Sequence, residues 1–290
     1  MVKASDRYQQ ELIALNLEIK DQQQRAKNLL YKEGVLKKAF KTKTAPWQDK
    51  LEDKVPEKLE ATLKSAFKTA FKMVFQEGAA VIEKTYSDEA LKQEYANKRA
   101  QIQGDGRRSV IQSLREKGRK RYFSTLGVTT AEGVGLGLLG IGLPDVPLLI
   151  GNMIRTANVS AKSHGLDPDR RDEQYYTLLL IRLVAAPQDE RAAVEAQLDA
   201  LAEQIDSGEA VPIALDEEIQ QTADALATAM LVSRFVMGLP IVGVAGGLYN
   251  SVIISQLHQL AEVKYEVRLL KRCRATLVRQ HQQTKGSDEK

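Results

Sequence analysis

Residues 127–165 read GVTTAEGVGLGLLGIGLPDVPLLIGNMIRTANVSAKSHG, and the way this block divides decides the fold. It is too apolar to be wholly surface and too rich in glycine to be an ordinary helical core. Thr129-Thr130-Ala131-Glu132 has the T-x-x-E form in which a hydroxyl and a carboxylate cap the first turn of a helix. In the helix that follows, Gly133, Gly137 and Gly140 share one face. Each glycine costs about 1 kcal/mol of helix propensity, so the set points to a groove into which another backbone packs closely. The G-x-G pairs do not make a dinucleotide loop, because no strand precedes them and the spacing misses G-x-G-x-x-G. Leu143-Pro144 ends this helix. Asp145 caps the next, with Pro147 in its first turn and Gly165 just past its end. His164 then falls at a helix C-terminus, where it has a capping role.

A second apolar block, Phe235 to Leu260 (FVMGLPIVGVAGGLYNSVIISQLHQL), carries no Asp, Glu, Lys or Arg. About 20 apolar residues would span a bilayer, but Pro240, Asn250, Gln256 and His258 interrupt this block, as Glu132, Pro144 and Asp145 interrupt the first. The expectation is a hydrophobic helical core or a membrane-dipping hairpin, not a pair of spans. Gly243 and Gly247 form a seam able to mate with the Gly133/Gly137 groove. If one helix continues onward at about 100° per residue, Asn250, Ala261 and Arg268 lie within roughly 20° of Gly243, with Gly247 and Tyr265 about 40° away. An arginine on a buried line needs an acid. The expected partner is Asp145, beside Asn152 and Arg155. Asp145, Asn152, Arg155, Asn250 and Arg268 are therefore the candidate polar cluster, for packing or for a ligand. Glu262 falls about 100° off the line and reads as a solvated face.

The rest of the chain reads as helix too. Tyr8, Leu12, Leu15 and Ile19 form one stripe on a polar helix over Ala4 to Tyr31. Val55-Pro56-Glu57 opens a second helix, expected to run to about Tyr86. It has Leu59, Leu63, Phe67 and Phe71 on one face and a lysine stripe, Lys64, Lys68 and Lys72, on another. A helix from Ser87 or Asp88 to Gln103 and a basic helix from Arg107 to Phe123 follow. Asp167-Pro168 starts the helix containing LLLIRLV, and Ala186-Pro187 ends it. The acidic segment 188–205 reads as a surface insertion, and a helix from about Asp216 leads towards Arg234.

Charge divides the 290 residues unevenly. Residues 1–125 hold 27 Lys and Arg against 17 Asp and Glu, while residues 126–290 hold 15 against 21. A basic half suits an anionic surface. Acids mixed among the lysines, with no nucleic-acid signature, argue against DNA or RNA. Cys273 is the only cysteine, which leaves no disulfide and no cysteine zinc site and favours the cytoplasm. The opening MVKASDRYQQELIAL lacks the apolar segment of a signal peptide.

The motifs also carry a resemblance. The glycine-rich segment before Leu143-Pro144-Asp145-Val146-Pro147, then Arg155 and His164-Gly165, then Pro240-x-Val242-Gly243-x-x-x-Gly247-x-x-Asn250, closing with Ala261, Tyr265 and Arg268, resemble the EcsC family over about residues 125–270. That resemblance implies a mostly helical bacterial protein connected with membrane or transport processes. It implies no catalytic residue set and no cofactor. Some members of that family carry peptidase or hydrolase labels, but HExxH and G-x-S-x-G are missing here.

The expected class is all-α: basic amphipathic helices over residues 1–124, a helical domain built on glycine-rich apolar helices over 125–283, and a disordered tail over 284–290. The expected function is that of a membrane-associated accessory or lipid-binding protein without catalysis. It would be cytoplasmic and peripheral at the inner face of the cell membrane, meeting an anionic membrane surface, a lipid or a membrane-protein partner. The alternatives are a soluble helical scaffold for a protein partner and a hydrolase with a polar site around Asp145.

Overall fold

The computed structural model describes residues 4–31, 57–75, 88–104, 145–236 and 246–288. They form eight α-helices, and no strand occurs among the described residues. In chain order these are α1 (Ala4–Tyr31), α2 (Glu57–Met73), α3 (Asp88–Gly104), α4 (Asp145–Ser163), α5 (Arg171–Ala185), α6 (Arg191–Ser207), α7 (Leu215–Val236) and α8 (Gly246–Asp288). The capping-box helix with Gly133, Gly137 and Gly140, the basic helix after Arg107, and Gly243 lie outside the described residues. Gly247 stands in the first turn of α8.

The run LLLIRLV becomes the centre of the core. In α5, Tyr176, Thr177, Leu178, Leu179, Leu180, Ile181, Leu183 and Val184 are all buried, so neighbours cover this helix on most sides. Those neighbours are α6, α7 and α8, with α4 at one edge. On α7 the buried set Ile219, Ala223, Leu226, Ala227, Met230 and Leu231 keeps the i, i+4, i+7, i+8 spacing of a single apolar stripe. α7 also packs against α2. Leu63, Phe67, Ala70 and Phe71 of α2 are buried, as their spacing predicts. Burying side chains such as Phe67 and Phe71 contributes about 1.5–3 kcal/mol each, and it commits the apolar face of α2 to the protein interior.

The last helix is 43 residues long, about 65 Å at 1.5 Å per residue. One uninterrupted helix is the reading that places Ala261, Tyr265 and Arg268 on one line, and all three are buried. The helix runs on to Asp288, into the stretch expected to be a disordered tail. It is covered by α1, α3, α4, α5 and α6. α1 lies antiparallel along it: Tyr8 stacks on His281 with ring centroids 3.7 Å apart, and Arg274 donates to Asn16 Oδ1 at 3.2 Å.

One reading is corrected outright. Segment 191–207 is not a surface insertion: Val194, Leu198, Leu201, Ala202 and Ile205 of α6 are buried against the core. Its acids pair with basic residues of α8, Glu195 and Asp206 mostly covered and Asp199 and Glu203 still exposed.

Helix ends follow the glycines. Gly165 has φ +74 and Gly208 φ +81, the left-handed region that glycine alone enters freely. At the first, Leu166 N donates to Ala161 O at 3.0 Å and Gly165 N to Lys162 O at 3.0 Å, which closes α4 by satisfying its last carbonyls. Gly165 also has no room for a side chain, since a Cβ there would lie 2.3 Å from the ring of Tyr95 on α3.

Candidate functional site

Three groups of charged side chains are buried where helices meet α8, and a fourth lines an open cavity. The first is centred on Arg268, which is 2% exposed although it is an arginine. Arg268 Nη1 donates to Glu173 Oε2 at 2.8 Å and Nη2 to Glu173 Oε1 at 2.7 Å. Nε donates to Asp206 Oδ2 at 3.0 Å, and Nη2 also reaches Asp206 Oδ1 at 2.8 Å. The guanidinium lies 4.6 Å from the centre of the Tyr176 ring and 5.9 Å from that of Tyr265. Burial opposes the charge, but the bonds to the two carboxylates outweigh it and raise the arginine pKa. Burial, with Glu173 adding to it, also pushes the Tyr265 phenol up, so that both Tyr265 and Arg268 hold their protons.

The acid expected for Arg268 was Asp145, and the structure corrects this. α4 and α8 run in the same direction, with Ser160 opposite Glu262 and His164 opposite Tyr265 and Arg272. Arg268 therefore stands at the C-terminal end of α4, while Asp145 opens that helix about 27 Å away. Glu173 carried a legible signal. It shares the i, i+3, i+7 face of Tyr176 and Leu180, so the acid falls on the buried side of α5.

The second group joins α3, α4 and α8. His164 Nδ1 lies 2.6 Å from Ser160 O. A carbonyl can only accept, so this nitrogen carries the proton, and Nε2 accepts from Lys98 Nζ at 3.3 Å. Burial and then the Lys98 ammonium push His164 down to about 3, against the pull of Glu262. Ser160 Oγ donates to Glu262 Oε1 at 2.7 Å. Burial pushes the Glu262 carboxyl up, but Lys98, His164, His258 and the Ser160 hydroxyl together bring it down to about 2. The reading of Glu262 as a solvated face is thus overturned: α8 is enclosed on several sides, and a residue 100° off one buried line still meets α4 and α3. His164 does cap α4, and Arg272 Nη2 adds a bond to the His164 carbonyl at 2.6 Å.

This second group contains a serine, a histidine and a glutamate, yet its bonds are not those of a nucleophile and its base. The Ser160 hydroxyl is turned to Glu262, the Ser163 hydroxyl donates to Ser160 O at 3.0 Å, and both imidazole nitrogens are engaged. The arrangement fixes the seat of α3. In the third group, Lys264 Nζ binds Glu195 at 2.9 Å and Asp199 at 2.8 Å, holding α6 to α8, and Tyr31 of α1 donates to Glu195 at 3.0 Å.

The fourth group lies where α5, α6 and α7 leave a cavity of about 390 Å³. Arg182 stands in it beside Glu218, with Nε 2.8 Å from Oε1. Arg182 also donates to Gln197 Oε1 at 2.7 Å and to Gln221 Oε1. Burial raises the Glu218 carboxyl to about 7, with Arg182 and the Thr222 hydroxyl pulling it the other way.

The other candidates from sequence are placed as follows. Asp145 is the first residue of α4 and Asn250 lies in the first turns of α8. Asn152 and Arg155 are half-buried on α4, where Asn152 O accepts from Thr156 at 2.7 Å. Lys64, Lys68 and Lys72 are half-exposed on α2; Lys64 pairs with Glu60 at 2.7 Å and Lys72 with Asp216 at 3.4 Å. No group of His, Cys, Asp and Glu placed to hold a metal ion occurs among the described residues. Among them too, no helix is long and apolar enough to cross a membrane.

The fold and its charges define an all-helical protein in which ion pairs lock the helices around one long carboxy-terminal helix. The chain belongs to the EcsC protein family, whose model matches residues 18–270. That match starts far ahead of the motifs near residue 125 and takes in most of the amino-terminal helices. No curated protein and no solved structure matches the chain.

Proposed function

We propose that this EcsC-family protein is a membrane-associated accessory or lipid-binding protein that acts without catalysis, at the cytoplasmic face of an anionic membrane. The observation that carries the reading is the orientation of α2. Its apolar residues Leu63, Phe67, Ala70 and Phe71 are buried in the core, and Lys64, Lys68 and Lys72 are left on the half-exposed side. Such a helix meets a bilayer by charge and not by insertion. A lysine near an anionic leaflet contributes about 1 kcal/mol, so three of them support weak, reversible, salt-sensitive attachment. The pairs of Lys64 with Glu60 and Lys72 with Asp216 do not prevent this, because exposed ion pairs contribute only about 0–1 kcal/mol and exchange readily for lipid phosphates. Family membership and the excess of basic residues in 1–125 add to the same reading.

Flotation tests it. The full chain should rise with vesicles containing phosphatidylglycerol at low salt and remain below at 0.5 M salt. Replacing Lys64, Lys68 and Lys72 together by Gln should reduce the floated fraction several-fold with the thermal unfolding curve unchanged. A chain that stays unbound at low salt sinks the proposal and favours the soluble scaffold.

A further inference from the structure

The cavity between α5, α6 and α7 sets a buried ion pair against open space. Its volume of about 390 Å³ falls in the range of small-ligand sites, about 300–1,000 Å³. The floor is apolar, made by Leu179 and Leu201, and Val211 and Pro212 close one side. Arg182 brings the positive charge: Gln221 and Gln197 accept from Nη1 and Nη2, while Nε lies 2.8 Å from Glu218 Oε1 as an ion pair without a hydrogen bond. A guanidinium only donates, so both glutamines must turn their amide oxygens towards it.

Carboxylates outnumber the guanidinium in the lining. Glu218, whose side chain is only 3% exposed, uses Oε1 for both the Arg182 contact and the Thr222 hydroxyl at 3.3 Å. Glu217, also lining the cavity, accepts a long 3.4 Å bond from Gln221. Two carboxylates thus face one guanidinium. An incoming anion would have to displace Glu218 from Arg182 and approach Glu217. An incoming cation meets carboxylate oxygen and the Tyr175 hydroxyl above an apolar floor. We propose that this cavity binds an organic cation, a protonated amine or guanidinium carried on an apolar body.

The proposal has a pH signature. Around Glu218 stand Arg182 and Tyr175 from α5 and Glu217 from α7. The polar side chains that α6 contributes to the cavity are the uncharged Gln197 and Gln204, and α2 brings Lys72 to Asp216 two residues away. With Glu218 half-protonated near pH 7, a bound cation stabilises the carboxylate and expels the proton. Affinity then rises about tenfold between pH 6 and pH 8, and an anion at Arg182 would show the opposite slope.

The test uses the full chain with phenethylamine and with phenylacetate, which share an apolar body and differ in charge. Calorimetry should show saturable phenethylamine binding, about tenfold tighter at pH 8 than at pH 6, and none for phenylacetate. Glu218→Gln should weaken it at least tenfold. Since that variant also disturbs Arg182, Ala200→Phe supplies the control. It fills the cavity from an exposed wall position, leaves the ion pair intact, and should abolish binding with the fold unchanged. Phenylacetate binding in place of the amine, no amine binding at millimolar concentration, or amine binding that survives Ala200→Phe would overturn the proposal. An ethanolamine lipid headgroup carries the same ammonium as a free amine. Competition between phenethylamine and vesicles bearing ethanolamine headgroups assigns the site to lipid, and lack of competition assigns it to a soluble amine. Because binding of the free amine needs no vesicle, its failure and that of the membrane reading are separable.

Discussion

His164 and Glu262 illustrate how a single burial event changes the chemistry of a residue. In the unfolded chain an imidazole takes up a proton near its ordinary 6.5, and in the folded chain only near 3. Between those values the unfolded state holds more protons, so the contribution of His164 is complete above pH 6.5 and is lost as pH falls towards 3. Glu262 has the same sign, losing its contribution as pH falls from the ordinary 4.5 to about 2. Glu218 has the opposite sign: raised to about 7, it favours the folded state below pH 4.5 and loses that effect as pH rises through 7. His164→Asn keeps a donor for Ser160 O but does not titrate. Denaturant titrations at pH 5 and pH 6 should therefore give the variant a slope of stability against pH smaller than the parent's, by up to about 1.4 kcal/mol per pH unit. Equal slopes would mean that His164 is protonated in the folded protein. None of this was visible at the residue level, because Ser160, His164 and Glu262 meet only after α4 and α8 have paired.

Among the elements, α6 departs furthest from its sequence. Glu195, Asp199, Glu203 and Asp206 make it look solvated, yet each meets a basic residue of α8: Lys264 at Glu195 and Asp199, Lys271 at Glu203, Arg268 at Asp206. Exposed pairs of this kind add little, and the Arg268 pair must first offset its own desolvation. The stability of α6 therefore comes chiefly from Val194, Leu198, Leu201, Ala202 and Ile205. Leu198 is fully buried. Leu198→Ala should lower unfolding free energy by about 2–5 kcal/mol, read by denaturant unfolding with the helical signal retained. A loss within about 0.5 kcal/mol, as for a surface substitution, would return α6 to the periphery. By contrast, α1, α3 and α4 were legible almost to the residue, because apolar stripes, Asp caps and Gly165 are local signals that no partner overrides.

At the scale of the molecule, helices that precede residue 124 pack on helices that follow it. α1 covers α8, α2 packs on α7 and α4, and α3 is seated on α4 through Lys98. The family match from residue 18 agrees with that arrangement. A fragment spanning residues 125–290 should therefore lack a cooperative thermal transition, where the whole chain shows one. A sharp transition in the fragment at the temperature of the full chain would restore two independent domains. The expected boundary rested on the change of charge sign and on where the family motifs begin, but net charge reports on surface, whereas a packing unit is set by where apolar faces meet.

Sequence alone determined the all-helical class, the positions of most described helix ends and, once α8 is taken as one continuous helix, the line that carries Ala261, Tyr265 and Arg268. Each of these follows from periodicity or from the backbone preferences of glycine and proline, which act within a few residues. The tertiary structure decided which acids answer Arg268, that Glu262 turns inward, that α6 belongs to the core, and that Arg182 and Glu218 share a cavity. These depend on which helix faces which, and charge attraction between residues distant in the chain is expressed only once packing has removed the water between them.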